Sequence, residues 1–104
     1  MSEVFSSGYW KPLPGQEEEF IAAWKEFAGW ASGLPGAGHA RLTRQLDMPD
    51  RFVSFLDWES TEAMQDWKGH AEFPQRMALV QQHVDQFSPS ELETVAECEG
   101  GSAL

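Results

Sequence analysis

A chain of 104 residues has the length of one small domain. Its formal net charge of −10 argues against binding to nucleic-acid phosphates and disfavours docking on an anionic membrane. Five Trp and seven Phe are many for this length, so we expect some of these rings to line a ligand cavity or a subunit interface.

The first third of the chain predicts a strand followed by a helix. Residues 4–10 alternate, with Val4, Ser6, Gly8 and Trp10 on one face. After a Pro-Gly turn, three Glu residues at 17–19 stand where the dipole at a helix start favours negative charge. An apolar stripe at spacings of three and four then predicts a helix that ends near residue 32; its members are Phe20, Ala23, Trp24, Phe27, Ala28 and Ala31.

The middle of the chain predicts a hairpin followed by a short helix. Residues 39–46 and about 51–58 are strand-like and are separated by the turn at 47–50. The third strand is rich in aromatic and β-branched residues, which is typical of a largely buried strand. Ser60 and Thr61 supply hydroxyl groups that can cap a helix ending near Lys68.

The last third predicts another helix and a fourth strand. Pro74 suits a first helical turn, and the stripe of that helix comprises Phe73, Met77, Val80 and Val84. The fourth strand is predicted at about 88–97. Residues 98–104 read as a flexible tail after a single domain spanning 1–97.

Cysteine use and hydropathy bear on location. Cys98 is the only cysteine, so neither an intrachain disulfide nor a thiolate cluster can form, which fits a reducing compartment. The N-terminus shows no signal-peptide pattern, and no apolar run approaches the roughly 20 residues that span a bilayer. The three His show no metal-ligand spacing. We therefore expect a cytoplasmic protein with no membrane span and no metal.

The element order β–α–β–β–α(α)–β predicts an α+β fold of the ferredoxin-like, split βαβ type with an antiparallel sheet. Helices would cover one face of that sheet and leave the other uncovered. Apolar residues on the second face are candidates for a homodimer interface, namely Phe5, Tyr9, Val53 and Phe55.

Residues 52–73 also carry a resemblance. The sequence Trp58-Glu59-Ser60 followed by Ala63, Trp67 and Phe73, together with Pro-Gly pairs at 14–15 and 35–36, resembles the antibiotic biosynthesis monooxygenase family. The resemblance implies a dimeric α+β barrel over about residues 4–97. It is more specific for the fold than for one activity, since the family includes cofactor-independent oxygenases that turn phenols or anthrones into quinones, haem-degrading enzymes and proteins of unknown role.

The quinone-forming branch implies a Trp at the end of strand three and an Asn four residues earlier on the same face. The chain keeps Trp58 but has Ser54 at the Asn position. A serine can donate one hydrogen bond to a developing oxyanion, but it lacks the reach of the amide and its paired donor and acceptor. A His near the position of Arg44 contributes in that branch, so Arg44 is a candidate for orienting a phenolate or carboxylate.

The haem-degrading branch implies a Trp on the short helix, an Asn on strand one and an axial His ten residues after that Trp. Trp67 matches the Trp, but Gly8 falls near the Asn position and Met77 stands where the His should be. The resemblance therefore disfavours haem degradation by that route.

Each candidate residue also has a structural interpretation. Trp58 and Trp67 could be two walls of an aromatic pocket, or ordinary core rings. His70 could accept a phenol proton near neutral pH, or simply end the helix. Arg44 could be a surface charge.

Two function classes follow. The leading hypothesis is a cofactor-independent monooxygenase acting on a small electron-rich aromatic such as a phenol, quinol or polyketide. Trp58, Ser54 and His70 are its predicted catalytic residues, and the predicted substrate-binding residues are Trp67, Trp24, Arg44, Phe73 and Met77. The alternative is a non-catalytic small-molecule-binding module of the same fold, and a haem-binding relative is a third, less favoured possibility.

Overall fold

A computed structural model describes residues 3–101 as a four-stranded antiparallel sheet with three helices packed on one face. The strand order is β2-β3-β1-β4, so β1 and β3 are central. This is the predicted α+β ferredoxin-like order, and two helices lie between the third and fourth strands. The elements are β1 (Val4–Pro12), α1 (Glu17–Ala31), β2 (Ala37–Arg44), β3 (Phe52–Trp58), α2 (Thr61–Lys68), α3 (Phe73–Gln81) and β4 (Val84–Glu93).

The two central strands alternate between buried and half-buried residues along their length. Their antiparallel register places Val4 opposite Trp58, Gly8 opposite Ser54 and Trp10 opposite Phe52. Because successive side chains point to opposite faces, this alternation puts one complete set beneath the helices. The face of β1 predicted from the sequence is therefore the helix-covered face.

Local sequence signals account for the helix starts. Ser60 is the N-cap of α2, because its Oγ accepts a hydrogen bond from the backbone N–H of Ala63 at 3.0 Å. Three Glu residues occupy the first turn of α1. Phe20, Val80 and Ala31 are completely buried where α1 and α3 meet the sheet.

The predicted start of the fourth strand at about 88 is wrong by four residues. β4 begins at Val84, which the sequence placed in the stripe of α3, and it pairs with β1 from Pro12 to Val4. The helix ends because the chain turns at His83, whose carbonyl accepts from Leu13 N at 2.9 Å. His83 is half-buried, and its Nδ1 lies 2.9 Å from Gln16 Oε1.

The outer face of the sheet has no covering layer among residues 3–101, and the shortest dimension of the molecule is 19 Å. Phe5, Tyr9, Val53 and Phe55 lie there, and all four are half-buried. Within the described residues, no helix has the length and apolar character needed to cross a membrane. The predicted tail, 98–104, lies partly outside the described residues; residues 98–101 follow β4 without helix or strand.

Candidate functional site

A cavity of about 300 Å³ lies between the inner face of the sheet and the helices. It is partly enclosed, and its volume is at the lower end of the range of about 300–1,000 Å³ that is usual for small-molecule sites. Its walls are mainly aromatic and come from α1, α2, the start of α3, β1 and β4. The rings are those of Trp10, Trp24, Phe27, Trp67, Phe73 and Phe87.

Small residues on the two central strands form the sheet side of this cavity. Ser6 and Gly8 lie on β1, and Ser54 lies on β3 directly opposite Gly8. Both serines are buried on a face that is otherwise apolar. Large side chains at these three positions would fill the volume. The cavity therefore exists because the residues at this point of the sheet are small.

Ser54 is held by a hydrogen bond that joins the two strands. Trp10 Nε1 donates to Ser54 Oγ at 2.9 Å, and both side chains are buried. A Cβ atom at Gly8 would lie 2.7 Å from that indole nitrogen and 3.0 Å from Ser54 Oγ. Glycine at position 8 is therefore needed for the indole to reach the serine.

The two predicted pocket tryptophans have different places. Trp67 lines the cavity, whereas Trp58 does not and is only 3 % exposed. Their ring centroids are 5.2 Å apart, so Trp58 packs against Trp67 in the core. The expectation that Trp58 forms a cavity wall is not met, because its pairing with Val4 and Ala37 at the strand end places it beyond the lining. Both indole N–H groups are buried and have no hydrogen-bond partner among the described residues.

His70 lies at the end of α2 and is not part of the cavity lining. Its Nδ1 accepts a hydrogen bond from the backbone N–H of Glu72 at 3.0 Å, which assigns the proton of the neutral ring to Nε2. The ring stands edge-on to Trp30 with centroids 5.2 Å apart. These contacts are those of a histidine that ends a helix.

Arg44 is also outside the cavity. Its guanidinium lies 4.9 Å from the centre of the Phe52 ring, and it borders a separate surface groove between α1 and β2. Five predicted residues do come together in the cavity lining, namely Ser54, Trp67, Trp24, Phe73 and Met77. The catalytic and binding roles assigned to all eight residues stay predictions.

The cavity lining is almost uncharged. Among the described residues that line it, Lys68 is the one titratable member, and that ammonium pairs with Glu91 at 2.7 Å. The hydrogen bonds that Lys68 and Gln65 donate to Glu91 hold the pKa of that carboxyl below its ordinary value. No group of three or more metal-ligating side chains is assembled within residues 3–101. The arrangement suits a neutral, planar, largely apolar ligand with one or two oxygen atoms.

Sequence reasoning missed several lining residues. Trp10, Ser6, Gly8 and Phe87 were not named as site residues, although all four belong to the cavity. The available signal was the face of β1 on which Ser6 and Gly8 stand between Val4 and Trp10. Small residues on a strand face that is otherwise apolar indicate space above the sheet.

Comparison with known families gives a match over most of the chain. The family model for antibiotic biosynthesis monooxygenase matches residues 4–79. No curated protein matches the chain.

Solved structures match the fold. A candidate antibiotic biosynthesis monooxygenase from Bordetella bronchiseptica is 20% identical, with a TM-score of 0.80 over 94% of this chain and 100% of the other. A second candidate from Deinococcus radiodurans is 14% identical, with a TM-score of 0.79 over 92% and 96%. SnoaB, a cofactor-independent oxygenase from Streptomyces nogalater, is 15% identical, with a TM-score of 0.74 over 95% and 96%. At these identities, the structural matches show a shared fold.

Proposed function

Because the chain belongs to the antibiotic biosynthesis monooxygenase family, we propose that it is a cofactor-independent monooxygenase for a small electron-rich aromatic such as a phenol, quinol or polyketide. The observation that carries this proposal is the aromatic cavity with hydroxyl groups on its sheet side. Engineered apolar cavities of about 150 Å³ bind benzene, so a site of twice that volume suits two or three fused rings. The fold that the chain shares with SnoaB, a cofactor-independent oxygenase, also supports this proposal.

The proposed reaction draws its electrons from the substrate. The carbanion or phenolate of the substrate reduces dioxygen; one oxygen atom becomes the new carbonyl oxygen, and the other leaves as water with the two hydrogens that the substrate loses. Trp24 and Trp67 would flank the ring, and Ser54 would donate a hydrogen bond to its oxygen. The apolar walls would exclude water and hold the ring in one orientation.

The test is oxygen uptake by purified protein with aerated anthrone. We expect anthrone and dioxygen to be consumed in equal amounts, above the rate without protein and unchanged by a chelator. Met77→Trp, which fills the cavity from α3, should remove this excess. Leu79→Trp is the matched control, because Leu79 is 54% exposed on the same helix. Uptake equal to the protein-free rate would refute the proposal.

A non-catalytic binding module is the second candidate function. It is favoured by the scarcity of titratable groups in the lining. Quenching of tryptophan fluorescence by small aromatics, without oxygen uptake, would identify this function. A haem-binding role is not proposed, because no described residue that lines the cavity is a histidine.

We also propose that a second copy of this chain covers the outer face of the sheet. Support comes from the apolar residues of that face, where Tyr9 stands opposite Val53, and from the absence of a covering layer over residues 3–101. Sedimentation equilibrium should give twice the chain mass, and Val53→Asp should shift the protein towards monomer. The exposed Thr61→Asp on the helix side should leave the mass unchanged. Wild-type monomer at micromolar concentration would contradict the dimer. The cytoplasmic location stays a prediction.

A further inference from the structure

We propose that Trp10 is a positioning residue that fixes the Ser54 hydroxyl as a hydrogen-bond donor to a carbonyl or phenolate oxygen of the bound ring. The site would then select an aromatic bearing oxygen over the corresponding hydrocarbon. This inference rests on the proposed function in one respect, since it takes the cavity as the place where the aromatic ligand binds.

The Ser54 hydroxyl can accept one hydrogen bond from Trp10 and donate another to a ligand. A hydroxyl group has one proton to donate and two lone pairs that accept. The N–H of Trp10 occupies one lone pair at 2.9 Å, so the Ser54 proton must point away from the indole. Among the described residues, no acceptor is hydrogen-bonded to that proton. Since Ser54 lines the cavity, an oxygen atom of the ligand is the available acceptor.

The bond from Trp10 also makes the Ser54 hydroxyl a stronger donor. A hydroxyl that accepts a hydrogen bond is polarised and becomes a better donor, and this effect is larger where the local dielectric is low. Ser54 and Trp10 are 7 % and 2 % exposed, so water scarcely screens the pair. The indole N–H therefore strengthens the bond that Ser54 gives to a ligand, although Trp10 itself need not touch the ligand oxygen.

The indole of Trp10 is held in place by its neighbours. The Trp10 ring stacks on Phe87 with centroids 4.1 Å apart and leans on Phe20 at 5.4 Å. On the β1 side, Gly8 leaves the space that the indole nitrogen occupies, because a Cβ there would lie 2.7 Å from it. Aromatic packing and a glycine thus aim the N–H at Ser54. Gly8, which lies opposite Ser54, is therefore part of the arrangement that orients the indole N–H.

Ser6 provides an internal comparison. It lines the same cavity, and its side chain makes no hydrogen bond with any other described residue. The strand register places Ser6 opposite Leu56 and Gly8 opposite Ser54, so the two serines are diagonal neighbours on adjacent strands. A hydroxyl in the same cavity but without a link to Trp10 is the control that this proposal needs.

The experiment compares 1-tetralone with tetralin, which differ only in a carbonyl that replaces a methylene group. Binding is measured by calorimetry on the full chain, wild type and variant. We expect Ser54→Ala to lower the affinity for 1-tetralone about five-fold, as the loss of one hydrogen bond predicts, with tetralin changed less than two-fold. Trp10→Phe keeps the ring stacking and should lower 1-tetralone affinity about three-fold, again sparing tetralin.

Combining the two substitutions distinguishes a role of Trp10 in positioning Ser54 from a role in packing alone. The Trp10→Phe and Ser54→Ala double variant should lose no more 1-tetralone affinity than Ser54→Ala alone. The effect of Ser6→Ala should instead be the same with or without Trp10→Phe. If Trp10→Phe does not fold, Gly8→Ala places a Cβ 2.7 Å from the indole nitrogen and 3.0 Å from Ser54 Oγ, which should break the same hydrogen bond and lower the affinity for 1-tetralone more than that for tetralin.

The inference would be overturned if Trp10→Phe lowered the affinity for 1-tetralone and for tetralin equally. It would also be overturned if the losses of 1-tetralone affinity from Trp10→Phe and Ser54→Ala were additive in the double variant. A Ser54→Ala variant that binds both ligands as wild type does would overturn it as well. These outcomes are distinct from failure of the proposed function. A protein that prefers 1-tetralone through Ser54 but never consumes oxygen would keep this inference and lose the oxygenase proposal.

Discussion

Ala28→Phe tests whether the cavity is empty space that a ligand can occupy. Ala28 lies on α1, is almost completely buried and lines the cavity, so a phenyl ring at this position would project into it. Burying a Phe side chain stabilises a protein by about 1.5–3 kcal/mol. Against this stand about 0.5 kcal/mol of helix propensity relative to Ala and about 0.5–1 kcal/mol of side-chain entropy.

The free energy of unfolding of Ala28→Phe should therefore stay the same or rise by up to about 2 kcal/mol. Because 1 kcal/mol shifts Tm by about 4–8 °C in a domain of this size, thermal unfolding has the resolution to detect it. A ring that occupies the site should also lower the affinity for 1-tetralone at least about ten-fold, or 1.4 kcal/mol. Calorimetry on the same samples measures this loss.

Ala22→Phe is the matched control, because Ala22 is exposed on the same helix. It carries the helix-propensity cost without burial, so stability should fall by about 0.5 kcal/mol with unchanged binding. If Ala28→Phe loses more than about 1 kcal/mol of stability and still binds the ligand, the space beside Ala28 is not an empty binding cavity. Overpacking of a filled core has that signature, with typical costs of about 1–3 kcal/mol.

Three further predictions concern single side chains. Trp67→Phe should weaken binding of 1-tetralone in calorimetry, whereas Trp58→Phe should not, because only Trp67 of these two neighbouring rings lines the cavity; equal losses would contradict this. Ser60→Ala should lower the free energy of unfolding in urea by about 1 kcal/mol, since it removes the N-cap of α2; an unchanged midpoint would show that the cap contributes nothing. The folded-state pKa of Glu91 is depressed by Lys68, so its stabilising contribution is present above the ordinary value of 4.5 and is lost as pH falls through the folded pKa. Urea unfolding should accordingly show wild type more stable than Glu91→Gln at pH 7, with a gap that closes in acid; a gap independent of pH would exclude this ion pair as its cause.

The fold was predictable in segments where the apolar residues followed one spacing, either that of a strand or that of a helix. Strict alternation in β1 identified its two faces correctly, and the hydroxyl at Ser60 marked the start of α2. The start of β4 was not predictable, because Val84 fits the apolar spacing of α3 and also the alternation of a strand. Pairing of β4 with β1 from Pro12 to Val4 decides between the two, and strand pairing is a long-range contact that local periodicity does not report.

Several side chains of the candidate site were predictable from the sequence, but their arrangement in space was not. Trp24, Phe73 and Met77 were recognised in apolar helix stripes, and the family resemblance pointed to Trp67 and Phe73. Trp58 was expected in the lining because its segment matches the family, yet its ring packs on the far side of Trp67. No local pattern predicts the bond from Trp10 to Ser54, since it joins residues 44 apart and depends on strand register.

The uncharged cavity determines what the protein would contribute to an oxygenation. Within residues 3–101, Lys68 is the one titratable group of the lining and is paired with Glu91, so this part of the chain places no free base in the cavity to deprotonate a substrate. An apolar cavity also disfavours an anion, because burial raises the pKa of a phenol or an acidic C–H group. The two hydroxyls on the sheet side are then the groups that oppose this cost, and the one bonded to Trp10 does so most strongly. Under the proposed function, the substrate must be acidic and electron-rich by its own chemistry, and the protein contributes orientation, exclusion of water and one well-aimed hydrogen bond.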